Sequence, residues 1–284
     1  MFVSMTLAAL AVLALTAHAA PSSAPERHLL VVCAPGSPGT TAEAQPTMDV
    51  FAAALAAKAG FSPSSLGAVY DESEDAGVAR LRGKDAAVAL VSLPFYLKHE
   101  RELALGARLL AVAKGRAPLE RWALVARKGR VANAAALDGF TVASTAGFAP
   151  AFVRGPVLGG WGPLPPSVRI VQSGAVLSAL RRASAGEPLA VLLDATQEAA
   201  LPSLPFASGL EVVTRSPPLG SGVVAAVNAR LPPKSWLALE RALVALPSDP
   251  SGTAALDAIQ MGRFAPLDES SLARARAAYA DASR

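Results

Sequence analysis

Small polar residues follow several apolar runs of the sequence, at points where a strand would give way to a helix. They are Thr40, Thr41, Ser92, Ser144, Thr145, Gln172, Ser173 and Asp194. In an open α/β sheet, ligands bind at the carboxyl ends of the strands, where helix N-termini present free N–H groups that suit an anion. Any single one of these residues is better explained as an ordinary helix N-cap. Their repetition at one end of the sheet favours a ligand cleft.

Motifs for catalysis or for metal binding are absent from the sequence. It has no G-x-S-x-G, H-E-x-x-H, P-loop or G-x-G-x-x-G pattern, and Cys33, His28 and His99 lack the spacing of a metal site. The acidic cluster at residues 71–75 is expected to be a solvated helix N-terminus, because acidic side chains are favoured in a first turn. We therefore expect no enzymatic activity, no catalytic or metal-binding residues and no cofactor.

Composition narrows the class of protein. Of the 284 residues, 52% are hydrophobic and 17% are charged, which excludes an intrinsically disordered chain. The single cysteine, Cys33, excludes a disulfide scaffold, and it is expected to be buried in a strand. A formal net charge of +4 is too small to argue for nucleic acid, which normally requires a clustered basic face. No nucleic-acid partner is expected.

The N-terminal block predicts export. Residues 5–17 form an apolar run that is too short for a transmembrane helix, and Ala17-His18-Ala19 supplies the small residues of a signal-peptidase site. No lysine or arginine precedes the run, which is unusual for such a signal. Residues 1–19 are predicted to be a cleavable signal peptide that directs the chain to the periplasm, with an uncleaved anchor as the alternative.

The rest of the chain alternates short apolar runs with amphipathic, alanine-rich stretches, which is typical of βαβ units and mostly parallel sheets. Strands are expected at residues 28–33, 86–91, 109–113, 122–127, 140–144, 168–172, 189–194, 210–214 and 223–228. The longer helices are expected at residues 42–60, 149–158, 175–185, 233–246, 253–261 and 269–280. A second set of elements begins near residue 128, so the chain is predicted to contain two α/β units.

Four stretches of the sequence resemble motifs of a known family. Residues 81–89, followed by Tyr96, are similar to a G-x-x-D-x-A … Y pattern, and residues 137–143 are similar to a D-L-x-G-K-x-V-A strand. Residues 144–147 are similar to the helix start that follows this strand in the family. Residues 171–174 are similar to the end of a later strand. Together these motifs resemble the phosphonate-type substrate-binding proteins of ABC transporters, within the type II periplasmic binding protein family.

The resemblance implies a fold and a division of the chain. The fold is α/β, with two lobes whose mixed, mostly parallel sheets are joined by two crossover strands. Lobe one would hold residues 27–122 and 226–284, and lobe two would hold residues 123–225. The chain would cross outward near residues 121–128 and return near residues 221–228.

By position in the family, Ser144 and Thr145 would donate hydrogen bonds to an anionic group of the ligand. Ser92, Tyr96 and the loop around Thr41 would approach the ligand from lobe one. The sequence also departs from the family pattern, and the departures leave the class of ligand open. Residues 172–174 stand where the family often has a histidine, and no aromatic residue follows the first strand near residue 40.

The function implied by the resemblance is capture of a small solute between the lobes for an ABC permease in the inner membrane. The resemblance names a phosphonate- or phosphate-like anion as a solute, and the departures above leave the class of solute open. The protein is expected to act as a monomer. One alternative is an envelope protein of the same fold that senses a ligand or binds a partner without transporting anything. Another alternative is an exported enzyme on the same scaffold.

Overall fold

A computed structural model describes residues 27–37 and 39–284 of the chain, so the predicted signal peptide at residues 1–19 lies outside the described residues. The described strands are β1 (His28–Cys33), β2 (Leu66–Asp71), β3 (Ala86–Ser92), β4 (Leu105–Ala113), β5 (Leu119–Glu120), β6 (Ala123–Arg127), β7 (Thr141–Ser144), β8 (Arg169–Gln172), β9 (Leu189–Leu193), β10 (Leu210–Arg215), β11 (Leu219–Gly220), β12 (Gly222–Val227) and β13 (Met261–Pro266). The described α-helices are α1 (Thr41–Ala59), α2 (Glu74–Arg82), α3 (Leu93–His99), α4 (Pro150–Phe152), α5 (Val176–Ala185), α6 (Ala195–Ala200), α7 (Pro233–Ala245), α8 (Pro250–Ala258) and α9 (Glu269–Ala282).

In the part of the chain that the structure describes, the strands form two mixed sheets, one in each lobe, and a small third sheet. The first has the order β13-β4-β12-β3-β1-β2, and the second has the order β10-β6-β9-β7-β8. Strand β1 is parallel to β2 and β3, and β7 is parallel to β8 and β9. The predicted mixed α/β sheets are confirmed, with fewer parallel pairs than expected, because β6 and β12 run antiparallel to both of their neighbours.

The segments that connect the two sheets lie side by side. Strand β5 precedes β6, strand β11 precedes β12, and the two short strands pair antiparallel, with Glu120 opposite Leu219. The crossovers therefore fall just before the ranges that the sequence suggested, because residues 123–127 and 222–227 already belong to the sheets. The lobe boundaries given above stay predictions.

Apolar side chains cover both faces of each sheet. Helices α1, α7 and α8 cover one face of the first sheet, where Phe51 and Leu243 are fully buried, and α5 covers the second sheet through Leu180. A third cluster joins the remaining faces and includes Val91, Val142 and Phe152. Strand β9 is buried along its whole length, as its continuous apolar sequence predicts for a strand covered on both faces.

Helix α9 contacts both lobes, although the sequence analysis assigned it to lobe one. On one side, Arg276 Nε donates to the Glu100 carboxylate at 2.8 Å. On the other, α9 packs on the turn of Val153–Val157 so closely that a Cβ on Gly155 would lie 2.1 Å from the carbonyl oxygen of Ala278. Only glycine permits this approach, and α9 thereby ties the two lobes together.

Several local predictions differ from the structure. Strands β2 and β13 and helix α3 were not predicted, and Asp71 is 1% exposed at the end of β2 rather than solvated in a helix N-terminus. The helix predicted at residues 149–158 is the short α4 followed by a π-helical turn, because Pro156 has no N–H to continue the α-helical pattern. None of the helices among the described residues has the length and apolar character that crossing a membrane requires.

Candidate functional site

A cavity of about 380 Å³ lies between the two lobes, beside the crossover strands. Its volume falls near the lower end of the range of roughly 300–1,000 Å³ that is usual for small-molecule sites. Lobe one contributes residues 32–37 and 90–92, lobe two contributes Thr145 and residues 194–197, and the first crossover contributes residues 120–122. The cavity thus lies where the carboxyl ends of β1, β3, β7 and β9 meet, as open α/β sheets predict for a ligand site.

The loop after β1 closes one edge of this cavity against lobe two. Gly36 has a φ of 86°, and a Cβ on it would lie 3.2 Å from both the Cβ and the carbonyl oxygen of Thr145. A larger residue here is disfavoured by the left-handed conformation and by the neighbouring backbone. The lobes therefore touch at this point, and the ligand space lies behind it.

Ser92 is the cavity residue with an unsatisfied hydroxyl. It ends β3 and stands at the N-cap position of α3, yet its side chain makes no capping hydrogen bond. Its Oγ is buried and has no hydrogen-bond partner among the described residues. A buried hydroxyl without a partner costs free energy, so a ligand that supplied one would be stabilised here.

Glu120 and Trp122 come from the first crossover, and both line the cavity. The Glu120 side chain is 16% exposed, and the nearest base, Arg116, lies 3.9 Å away between Nε and Oε1. Burial raises the pKa of the Glu120 carboxyl; the charge of Arg116 lowers it, and that of Asp194 raises it. The indole of Trp122 is fixed edge-on to Phe152, with ring centroids 5.6 Å apart.

Two further polar residues complete the site. Asp194 is the N-cap of α6: its Oδ1 accepts from the backbone N–H of Gln197 at 2.8 Å, and the Gln197 side chain accepts from the Asp194 N–H at 3.1 Å. Arg121 also lines the cavity, and its Nη1 donates to the carbonyl oxygen of Ser216 at 2.7 Å. Asp194 therefore keeps one oxygen free of protein donors in the described part of the chain.

Of the residues predicted for the site, the structure brings three to the cavity, namely Ser92, Thr145 and Asp194. Ser144 lies directly behind it, fully buried, with its Oγ accepting from the backbone N–H of Ala146 at 3.2 Å. Gln172 is exposed at the end of the edge strand β8, and the Ser173 N–H donates to the Ser144 carbonyl oxygen. Neither Gln172 nor Ser173 is among the described residues that line the cavity.

The other predicted residues make structural contacts on the lobe one side. Thr40 caps α1 in a capping box with Glu43, and the Thr41 N–H donates to the Glu72 carboxylate at 3.1 Å. Tyr96 is fully buried and its hydroxyl contacts Arg276 Nη2 at 2.5 Å, which fixes α9. These three residues are likewise not among those that line the cavity in the described part of the chain.

Glu120, Arg121 and Trp122 were not among the site residues predicted from the sequence. A signal for them exists: two charged residues and a tryptophan directly precede a buried strand, at the place where the chain was expected to change lobes. Cys33 also lines the cavity, and burial raises the pKa of its thiol to about 12. The thiol is therefore protonated and weakly nucleophilic at neutral pH.

No protein-family model matches the chain, and no curated protein matches it. Solved structures do. The protein XAC2383 from Xanthomonas citri, bound to chloride ion, superposes with a TM-score of 0.71 at 14% identity, covering 90% of this chain and 98% of that one. The binding protein component of an ABC phosphonate transporter, PA3383 from Pseudomonas aeruginosa, superposes with a TM-score of 0.64 at 13% identity, covering 91% and 87%.

The chain has the type II periplasmic binding fold. PhnD1 from Prochlorococcus marinus, in complex with methylphosphonate, is also similar, with a TM-score of 0.58 at 14% identity over 88% of this chain and 95% of that one. The resemblance drawn from the sequence is thereby confirmed for the fold. The cavity described above lies between the lobes of this fold, next to the two crossover strands.

Proposed function

We propose that the protein is a solute-binding protein that captures a small molecule between its two lobes. The observation that carries the proposal is the cavity of about 380 Å³, whose wall combines residues of both lobes and of a crossover strand. A ligand that contacts all three stabilises one relative position of the lobes, so binding and closure are coupled. The similar solved structures support this function, since they include a binding component of an ABC phosphonate transporter.

The wider role follows from the same fold. We propose that the protein is exported to the periplasm, works as a monomer and delivers its solute to an ABC permease. The division into lobes of residues 27–122 with 226–284, and of residues 123–225, belongs to this proposal. For a phosphonate-like solute the supporting observation is the similarity to PhnD1 in complex with methylphosphonate.

A ligand screen of the purified protein tests solute binding. Its melting temperature is measured with millimolar phosphate, phosphonates, sulfonates, thiamine-like compounds, amino acids and amines. A solute present at 100 times its Kd adds about 2.7 kcal/mol to the free energy of unfolding, which is a clear rise in melting temperature. No shift with any member of the panel would count against the proposal.

A cavity variant links the response to the site. Thr196 is exposed and lines the cavity, so Thr196→Trp places an indole at its mouth without disturbing the core. Thr253→Trp makes the same change at an exposed position of α8 and is the matched control. The shift should vanish in the first variant and persist in the second; a shift retained by Thr196→Trp would place binding elsewhere.

A further inference from the structure

We infer that the cavity selects a small organic cation, whose ammonium group lies between Glu120 and Asp194 and whose apolar part packs near Trp122. The inference rests on the proposed function, because it names the class of solute that the interlobe cavity takes. It differs from the phosphonate-like anion that the family resemblance names.

The carboxylates of Glu120 and Asp194 have acceptor oxygens that the described residues leave unused. In the part of the chain that the structure describes, no N–H or O–H group donates a hydrogen bond to the Glu120 carboxylate, and Arg116 is 3.9 Å away. Asp194 uses Oδ1 for the N–H of Gln197, and within the same residues Oδ2 accepts nothing. A half-buried carboxylate without donors is costly, and an ammonium group in the cavity would supply both charge and donors.

The charges on the cavity wall also favour a cation. Among the described lining residues, Arg121 is the one with a basic side chain, and it stands against the two acids Glu120 and Asp194; one of its N–H groups already donates to the carbonyl oxygen of Ser216. The N-terminus of α1 has less to offer an anion, because the N–H groups of Thr40 and Thr41 already donate to the carboxylates of Glu43 and Glu72. A phosphonate entering the cavity would meet one guanidinium, Arg121, and two carboxylates, Glu120 and Asp194.

The remaining wall suits the apolar part of such a cation. Trp122 and Phe148 line the cavity together with Pro94 and Met261. An indole attracts a cation by its π system as well as by apolar contact, which suits methylated or short-chain ammonium compounds. The unpartnered Ser92 Oγ adds a position for a hydroxyl group on the solute.

Isothermal titration calorimetry on the purified full chain tests the inference. The cationic probes are choline, ethanolamine and putrescine, and the anionic probes are methylphosphonate and inorganic phosphate. We expect at least one cation to bind and both anions to fail. Glu120→Gln should weaken cation binding about 10- to 100-fold, as the loss of one charge-assisted hydrogen bond predicts. The control Glu240→Gln, on α7, should change nothing.

A second variant keeps the result interpretable if Glu120→Gln folds poorly. Asp194→Asn retains an N-cap side chain while removing the charge, and it should weaken cation binding as well. Anion binding without cation binding overturns the inference but leaves the solute-binding function intact. Cation binding that neither variant alters also overturns the inference. Binding of neither class overturns it as well, and the ligand screen by melting temperature then tests the proposed function separately.

Discussion

Two buried or half-buried carboxylates, Asp71 at the end of β2 and Glu120 on the crossover, differ in their hydrogen bonding. Asp71, at the end of β2, is 1% exposed and receives Arg80 Nε at 2.8 Å, together with two further hydrogen bonds of 3.1 Å from the same guanidinium. Glu120, on the crossover, has an arginine only at 3.9 Å and accepts no hydrogen bond within the described residues. The first carboxylate is used by the fold, and the second is free for the solute that we propose.

The largest expected effect comes from breaking the ion pair between Arg80 and Asp71. Asp71→Asn removes a buried charge that three hydrogen bonds stabilise, and should lower the free energy of unfolding by about 2–4 kcal/mol. Chemical denaturation measures it. Asp75→Asn, an exposed acid in the first turn of α2, is the control and should stay within about 0.5 kcal/mol of the wild type. If Asp71→Asn and Asp75→Asn were equally stable, the hydrogen bonds to Asp71 would not stabilise the fold, and Asp71 would not differ from Glu120 in this respect.

A smaller effect on stability distinguishes Thr40 from Thr145, which were both predicted from the sequence to line the ligand site. Thr40→Ala loses a capping box and should cost about 1 kcal/mol of stability without changing solute affinity. Thr145 lines the cavity while Ser144 serves as the cap of its turn, so Thr145→Ala should weaken binding and leave stability nearly unchanged. Denaturation curves and titrations of both variants check this, and interchanged effects would contradict it.

The smallest effect concerns the stability of Glu120→Gln without ligand. Burial raises the pKa of Glu120 in the folded protein above its value in the unfolded chain. The stability associated with the protonated carboxyl is therefore present at low pH, and it is lost as the pH rises through the folded pKa and the buried carboxyl ionises. The glutamine variant should therefore melt at or slightly above the wild-type temperature at neutral pH. That advantage should disappear below about pH 4, where unfolded glutamate is protonated. Melting curves across pH measure it; a variant that is less stable at pH 7 would show that Glu120 has a structural role.

The order of the fold was predictable where strands are buried on both faces. Strands β3 and β9 are continuous apolar runs, and their positions were predicted to within a residue. Strand β13 was missed because its sequence, which includes Gly262, Arg263 and Pro266, has no apolar run; it lies at a sheet edge and is held by pairing with β4. Strand β2 was missed because its final residue, Asp71, resembles the acidic segment that follows.

The candidate site was less predictable than the fold. Hydroxyl and acidic residues after strands mark the end of each sheet at which the cavity lies, and Ser92, Thr145 and Asp194 line it. The same pattern also selected Thr40 and Thr41, whose polar groups are used by Glu43 and Glu72. The family resemblance selected Tyr96, whose hydroxyl is used by Arg276. Local sequence does not distinguish these two outcomes, because capping residues and ligand-binding residues are of the same types.

The sequence by itself determined the two α/β lobes, because the spacing of apolar residues indicates which strands and which helix faces are buried. Only the tertiary structure decided which polar groups are satisfied. Arg80 reaches Asp71 because α2 packs beside β2, whereas Glu120 on a two-residue crossover strand has no comparable neighbour among the described residues. A hydrogen bond requires two groups within about 3 Å of each other, and that proximity depends on how distant segments pack.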